Sequence, residues 1–459
     1  MRGLAVLAAL GVAACATATS SSAPSSRMAA SVASDTGHVG PTLGLVLDQR
    51  VAALLRDVDA RRIRGYDSAL VSFGTRNLYS DTISTARGTG AARRWIHSRF
   101  SQFSAECGGC LRIEFDTATV ATPRDTASPT RQVTNVLAWL PGRDTSTVIV
   151  IGGHYDSCVC ALPGGSRSPV ADAPGANDDG SGTSAVIELA RVFSRAFPRG
   201  LDVTVIFAAH DAEEQGLLGS RHLAGRLKAG GYDVVAAMTD DIVGNVMAED
   251  GYVDSTSVRI FAPDPDTSKS RELARHIWAV GAVYLPHFQV YPVWRLDRFG
   301  RGGDHRPFVE EGWAGVRFTE RVENEKRQHR PADTLGAVNF GYVANVARLN
   351  AAAIATLGLA PAMPDSARAQ RDVQMSGGRV WNLSWAPVAG AVAYEVLVRP
   401  TTSAQYERLY RVGPGTRFAL DYQLDDAWAG IRAVGANGHR SLPVVLPRLA
   451  PPRQRPPSQ

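Results

Sequence analysis

Aliphatic and β-branched runs alternate with amphipathic stretches over most of the chain. Apolar positions at helical spacing mark residues 45–64 and again 91–103, where Ala92, Trp95, Ile96 and Phe100 share one face. Short strand-like runs follow at 111–115, 134–140 and 146–151. Beyond them the two periods take turns: helix at 182–197, strand at 203–207, helix at 217–227 and strand at 234–238. Strands at 258–261 and 315–319 flank a helix at 270–280, and a helix at 340–357 closes the series. This alternation predicts a sheet covered by helices on both faces, over residues 41–360.

Residues 361–372 carry Pro361 and Pro364 among mixed polar positions and read as a linker. After them the texture changes. Residues 380–385, 393–399, 407–412, 416–420 and 428–436 are short, mostly alternating strands split by turns such as Asn437-Gly438. They predict a small all-β sandwich over 373–448, a unit separate from the larger domain. Trp385, Tyr394-Glu395-Val396 and Ile431-Arg432-Ala433-Val434 resemble the pattern of a fibronectin type III domain. The Pro-rich residues 449–459 predict a disordered tail.

The N-terminus changes the picture of where this chain works. Arg2 precedes an apolar core at residues 4–12, shorter than the roughly 20 residues a membrane-spanning helix needs. The core ends in Val12-Ala13-Ala14-Cys15, which resembles a bacterial lipobox. The resemblance implies a signal peptide over residues 1–15, lipid on Cys15 and attachment to a membrane. Ala16 in place of Asp resembles lipoproteins sent to the outer membrane. An ordinary secretory signal is the alternative, and either one exports the chain. Residues 16–40, rich in Ser, Ala and Thr, read as a flexible tether. The net charge of +5 is spread along the chain without a Lys/Arg block, which argues against nucleic acid as a partner.

Of five cysteines, Cys15 is accounted for by lipid. The rest form two close pairs, Cys107-Gly-Gly-Cys110 and Cys158-Val-Cys160. In an oxidising compartment these predict disulfides rather than a zinc ribbon, paired either within or across the two motifs.

Acidic and imidazole side chains recur where predicted strands end. The run 148–151 leads into Gly152-Gly153-His154-Tyr155-Asp156, with Asp156 placed to fix the tautomer of a metal-bound His154. Asn177-Asp178-Asp179-Gly180-Ser181-Gly182 opens a helix, and adjacent acids there are costly unless a cation neutralises them. Glu213-Glu214 follows the strand at 203–207, and Asp240-Asp241-Ile242-Val243-Gly244 follows that at 234–238. His329-Arg330-Pro331-Ala332-Asp333 precedes the closing helix. Each alone reads as a cap or turn. Together they supply the imidazole and carboxylate ligands of hydrolytic zinc.

In this order, His154-Tyr155-Asp156, Asn177 to Gly182, Ala212-Glu213-Glu214-Gln215-Gly216, Asp241-Ile242-Val243-Gly244 and His329 with Asp333-Thr334-Leu335 resemble the co-catalytic di-zinc aminopeptidase family. That family includes secreted bacterial aminopeptidases, glutamate carboxypeptidases and glutaminyl cyclases. The resemblance spans about residues 45 to 358. It implies an α/β/α sandwich with a mixed sheet and two Zn2+ ions. Asp178 would bridge the ions, His154 and Asp241 completing one site, Glu214 and His329 the other. Glu213 would be the general base and Asp156 the support of His154. The peptide after the bridging Asp is often cis in the family. Gln328 departs from the Tyr that many secreted members carry before the last His. Gly303-Asp304-His305 resembles a Ser-Asp-His motif near the family's pocket and is read, like His210, as structural. The implied activity is release of N-terminal residues from peptide substrates. Carboxypeptidase, glutaminyl cyclase with one zinc, and a non-catalytic binding protein on a degenerate peptidase fold are the alternatives.

The lipobox gives the first testable expectation. Cys15→Ala should move the protein from the membrane fraction to the soluble exported fraction; unchanged fractionation would rule out lipid on Cys15.

Overall fold

The computed structural model describes residues 35–122, 129–372 and 380–447. The signal segment, Cys15, most of the tether and the tail of the sequence reading lie outside the described residues. In chain order the N-terminal half contains β1 (Asp35–His38), α1 (Gln49–Arg56), α2 (Ala60–Ser72), α3 (Gly88–Glu106), β2 (Arg112–Ala121), β3 (Thr130–Leu140), β4 (Asp144–His154), α4 (Gly182–Ala196), β5 (Val203–His210) and α5 (Leu218–Ala229). Then come β6 (Asp233–Asp240), β7 (Ser257–Phe261), α6 (Lys269–Tyr284), β8 (Gln289–Val293), α7 (Arg306–Glu310), β9 (Gly315–Glu320) and α8 (Phe340–Gly358).

Eight strands form one mixed sheet in the order β2-β3-β5-β4-β6-β9-β7-β8. β5, β4, β6 and β9 run parallel, and β2, β3 and β7 join through antiparallel pairs. The central strands are apolar on both faces because both are covered. Ile149 and Ile151 of β4 pack into the core under α4 and α8, whereas Val148 and Val150 pack with Leu223 of α5 and Phe308 of α7. The fold is therefore the α/β/α arrangement the alternation predicts.

Four details differ from the sequence reading, the first being that Arg368–Arg371, within the stretch 361–372 read as a linker, is a strand paired antiparallel with Val380–Ser384. The helix expected at 45–64 is two, because Asp48 caps α1 and Asp59 caps α2, each accepting from a backbone N–H of its first turn. β8 and α7, each of five residues, escaped notice because they are too short to show a period. Asp35–His38, within the stretch read as tether, pairs antiparallel with the C-terminal unit.

That unit contains β10 (Arg368–Arg371), β11 (Val380–Ser384), β12 (Ala391–Pro400), β13 (Arg408–Gly413), β14 (Arg417–Asp421), β15 (Ala427–Gly435) and β16 (Val444–Val445). They make two antiparallel sheets, β1-β13-β12-β15-β16 and β10-β11-β14. Alternate residues, among them Trp381, Leu383, Val396, Val398, Leu420 and Ile431, fill a core of their own, and Trp385 packs edge-on against Tyr394.

Buried arginines join the two units. Arg275 of α6 and Arg399 of β12 both bind the Asp266 carboxylate, at 2.6 and 2.9 Å. Arg275 also donates to the Ala404 carbonyl at 2.8 Å, and Arg432 of β15 donates to the Leu43 carbonyl at 2.5 Å. Leu43 and Ala279 pack against Leu397, Tyr406 and Leu409. Guanidinium groups this buried are tolerated because most of their donors meet carbonyl or carboxylate oxygens, Arg399 Nε being the exception.

Arg399→Ala removes one of these anchors and leaves Asp266 with fewer donors. The expected cost is about 1–3 kcal/mol in denaturant unfolding. A change below about 0.5 kcal/mol, the range of ordinary surface substitutions, would show that the junction contributes little.

Candidate metal centre

The strand after β4 in sequence, β5, lies on one side of it, and the next, β6, lies on the other. This reversal leaves a crevice at the carboxyl ends of the strands, where open α/β sheets bind ligands. His154 is the last residue of β4, in register with His210 at the end of β5. Glu213 and Glu214 follow β5, Asp241 follows β6, and His329 lies in the loop after β9. Asp178 sits in the turn Ala176–Ser181 that leads into α4, and the Asp178–Asp179 peptide is cis, as the resemblance implies.

The five residues expected to hold metal converge as two groups. Ligand atoms of His154, Asp178 and Asp241 all lie within 4.8 Å of one another, and so do those of Asp178, Glu214 and His329. Asp178 belongs to both. Its Oδ1 is 3.2 Å from His154 Nε2, and its Oδ2 is 3.0 Å from His329 Nε2. His329 Nε2 is also 3.2 Å from Glu214 Oε2, and His154 Nε2 is 3.8 Å from Asp241 Oδ1. His154 is 1% exposed and His329 24%, so the second group faces the solvent side.

These groups fit a divalent cation. His154 Nε2, Asp178 Oδ2 and Glu214 Oε1 are buried without a hydrogen-bond partner, which is unusual for such atoms. Two imidazoles and three carboxylates are the donor set of catalytic zinc. The electrostatics agree. Burial would lower the pKa of His329, but Asp178 and Glu214 raise it to about 11. Burial likewise opposes a raised pKa at His154, and the Asp156, Asp178 and Asp241 carboxylates outweigh it. Burial drives the Glu213 carboxyl well above the carboxylate range despite His154 nearby, with Asp241, Glu214 and Asp304 adding to the rise. Carboxylates packed this closely favour the charged form of both imidazoles.

The placement of these side chains depends on a second layer of contacts. Asp156 Oδ1 lies 3.4 Å from His154 Nδ1, and the Asp156 carbonyl lies 3.2 Å from the same nitrogen. The Asp156 carboxylate also accepts from the backbone N–H of Glu213 at 3.0 Å and of Glu214 at 3.2 Å. One carboxylate thus orients both the imidazole and the acidic pair. Asp333 accepts from the N–H of Asn177 at 2.8 Å and of Asp178 at 2.9 Å. Asp179 accepts from the N–H of His154, Gly182 and Ile242, tying the ends of β4 and β6 to the start of α4. Gly152 and Gly153 are required by crowding: an added Cβ would lie 2.5 Å from His210 Nε2 or 2.7 Å from the Gly182 backbone. Ala212, Ile242 and His329 adopt positive φ beside the acidic and imidazole groups, where functional sites often hold unusual backbone.

Two arginines important to the site were not legible as such. Arg76, fully buried, donates to the carbonyls of Tyr155 at 2.6 Å, Pro174 at 2.6 Å and Gly175 at 2.8 Å. It thereby clamps the loop after His154 to the loop before Asp178. Arg317 of β9 contacts Asp241 Oδ1 and Asp297 Oδ2, each at 2.9 Å. Burial would lower its pKa, but Asp241 and Asp297 raise it. Neither arginine lies in a recognisable motif; each is assigned only by what it touches.

The remaining candidates take supporting positions. Burial holds His210 down at about 3, neutral beneath Gly152. Burial raises Asp304 to about 7, and His305 Nε2 contacts the Leu296 carbonyl at 2.8 Å. Gln328 directs its amide to Glu323 Oε2 at 3.4 Å. The cysteines pair locally, Cys107 with Cys110 and Cys158 with Cys160.

With this geometry in hand, comparison with known proteins gives consistent relatives. The model of Peptidase family M28 matches residues 135–354. A probable zinc metalloprotease of Pyricularia oryzae is 35% identical over 439 residues, covering 87% of this chain and 84% of that protein. The LapA aminopeptidase of Legionella pneumophila shares the fold with a TM-score of 0.53 and 22% identity, over 68% of this chain and 75% of that one. A Porphyromonas gingivalis glutaminyl cyclase does so with a TM-score of 0.50 and 17% identity, over 64% and 97%. The sequence identity to the Pyricularia relative over most of both chains, together with the family match across the strands that carry the site, establishes that this chain belongs to Peptidase family M28.

Proposed function

We propose that the protein is a two-zinc exopeptidase, acting as an aminopeptidase on peptide substrates. The observation that carries this reading is Asp178, whose two oxygens face two different groups of donors. His154 and Asp241 would hold one ion, and Glu214 and His329 the other. Bound zinc supplies a Lewis acid for the scissile carbonyl and lowers the pKa of a water. Glu213 accepts the proton of the attacking water at its carboxylate and returns it to the leaving amine. Asp156 fixes Glu213 through its backbone N–H, so base and imidazole are set by one support.

A second reading has a specific contact behind it. Arg317 neutralises Asp241, which weakens that carboxylate as a ligand and favours an enzyme working with one ion, as in a glutaminyl cyclase. Metal content per chain, with rates on free-amine peptides, blocked peptides and peptides starting with Gln, separates the two. Two zincs with cleavage confined to free-amine peptides supports the aminopeptidase; one zinc with cyclisation of Gln supports the other.

The lipobox at Cys15 supports export and lipid attachment to a membrane, on the periplasmic or surface side of the outer membrane. The two antiparallel sheets with Trp385 against Tyr394 support a fibronectin type III-like reading of the C-terminal unit.

Glu213 and Glu214 are neighbours with different proposed work, so they should fail differently. Glu213→Gln keeps its size and backbone bond but cannot take a proton. It should retain metal while kcat falls about 10²–10⁴-fold with little change in KM. Glu214→Ala should lose metal and activity together. Measuring both on the same purified variants is decisive: near-native turnover by Glu213→Gln, or its loss of zinc, would overturn the assignment.

A further inference from the structure

The loop that leaves β4 carries sulfur to the second donor group. Cys158 and Cys160 are joined as a disulfide. Cys160 Sγ lies 3.9 Å from Glu214 Oε2, the same oxygen that is 3.2 Å from His329 Nε2. The loop also touches His329 itself, the Ala161 N–H donating to the His329 carbonyl at 3.2 Å. Ligand atoms of Cys158, Cys160 and Glu214 all lie within 4.8 Å of one another. Glu214 therefore stands in two donor sets, one with Asp178 and His329 and one with two sulfurs.

Only one set can act while the sulfurs are bonded to each other. Thiolate is the form of cysteine that ligates metal, and it binds zinc strongly at about 2.3 Å. Reduction turns a pair that cannot compete into two soft ligands at the edge of the site.

We propose that the reduced Cys158 and Cys160, with Glu214, form a further zinc site that captures the ion from Asp178 and His329, so that the disulfide is the competent state of the enzyme. This rests on the metallopeptidase reading above. Two thiols, or a phosphine with one water, supply two electrons and two protons to the sulfur–sulfur bond and are oxidised to a disulfide or, with the water's oxygen, a phosphine oxide. The bond breaks to two thiols, and each gives up its proton to solvent as it ligates the ion. Drawn onto the two thiolates and Glu214, the ion leaves Asp178 and His329 and no longer stands where the site would polarise a substrate. In a reducing compartment the chain is held inactive, and oxidation after export releases Glu214 to its catalytic partners.

The alternative is that the disulfide only braces the rim, and a sulfur–metal signal separates the two. The full-length protein is loaded with cobalt(II), and its absorption and peptide hydrolysis are followed before and after tris(2-carboxyethyl)phosphine. The oxidised protein should bind cobalt without a thiolate-to-cobalt charge-transfer band. The reduced protein should gain that band and lose about tenfold or more in rate, as expected when an ion leaves its catalytic ligands. Both changes should reverse on reoxidation. The double variant C158S/C160S should show no band, and its rate should not respond to reductant; C107S/C110S should respond as the native protein does. Cobalt bound by the reduced native protein with no charge-transfer band would overturn the proposal, as would a rate loss that persists in C158S/C160S. A protein that binds no cobalt in either state would overturn the metallopeptidase reading and this proposal with it, an outcome distinct from the other two.

Discussion

Asp178 must face two donor groups at once, and much of the surrounding structure serves that one placement. A buried carboxylate between two imidazoles and two other acids is costly unless its position and charge are both fixed. Asp333 fixes it from behind by accepting the Asn177 and Asp178 amides. Asn177 is held in turn by Glu320, to whose Oε2 it donates at 2.9 Å, and by the Gly244 N–H, which donates to it at 2.8 Å. Arg76 then joins the loop carrying Asp178 to the loop carrying Asp156. The turn is a rigid mount, built from buried side chains that hydrogen-bond its backbone and one another.

The same arrangement distributes charge unevenly. The His154 and Asp241 group has Arg317 against it, whereas the Glu214 and His329 group has no guanidinium in contact among the described residues. One side of the site is thus partly neutralised by the protein and closed from solvent; the other is more anionic and more open. Coulombic attraction in a buried setting is strong enough for this difference to matter to a divalent ion. It also places the sulfur-bearing loop on the side where an ion is least enclosed.

The β-sandwich bears on the peptidase unit through α6, whose outer face it covers. Buried Arg275 and Arg399 share the partly exposed Asp266 carboxylate, and Leu43 is held between the units by Arg432. Buried guanidinium groups can be satisfied only where their acceptors stand in the right place, which ties the two units to one arrangement. The orientation of the two units is therefore specified by paired charges rather than by apolar area alone.

Sequence by itself determined the α/β alternation, the second all-β unit and the acidic and imidazole residues at strand ends. It could do so because periodicity reports burial locally, and because Gly152-Gly153-His154, Asp178-Asp179 and Glu213-Glu214 are short motifs whose chemistry is visible in their residue types. The break between α1 and α2 was also written there, in Asp48 and Asp59, but a continuous apolar pattern masked it. What only the tertiary structure decided is which residues meet. The partition of five donors into two groups sharing Asp178, the choice of disulfide partners and the proximity of Cys160 to Glu214 all depend on strand order and loop packing. Arg76 and Arg317 make the point most clearly. An arginine carries the same charge wherever it stands in a sequence, and only the fold determines whether it meets water, backbone carbonyls or the carboxylate of a metal site.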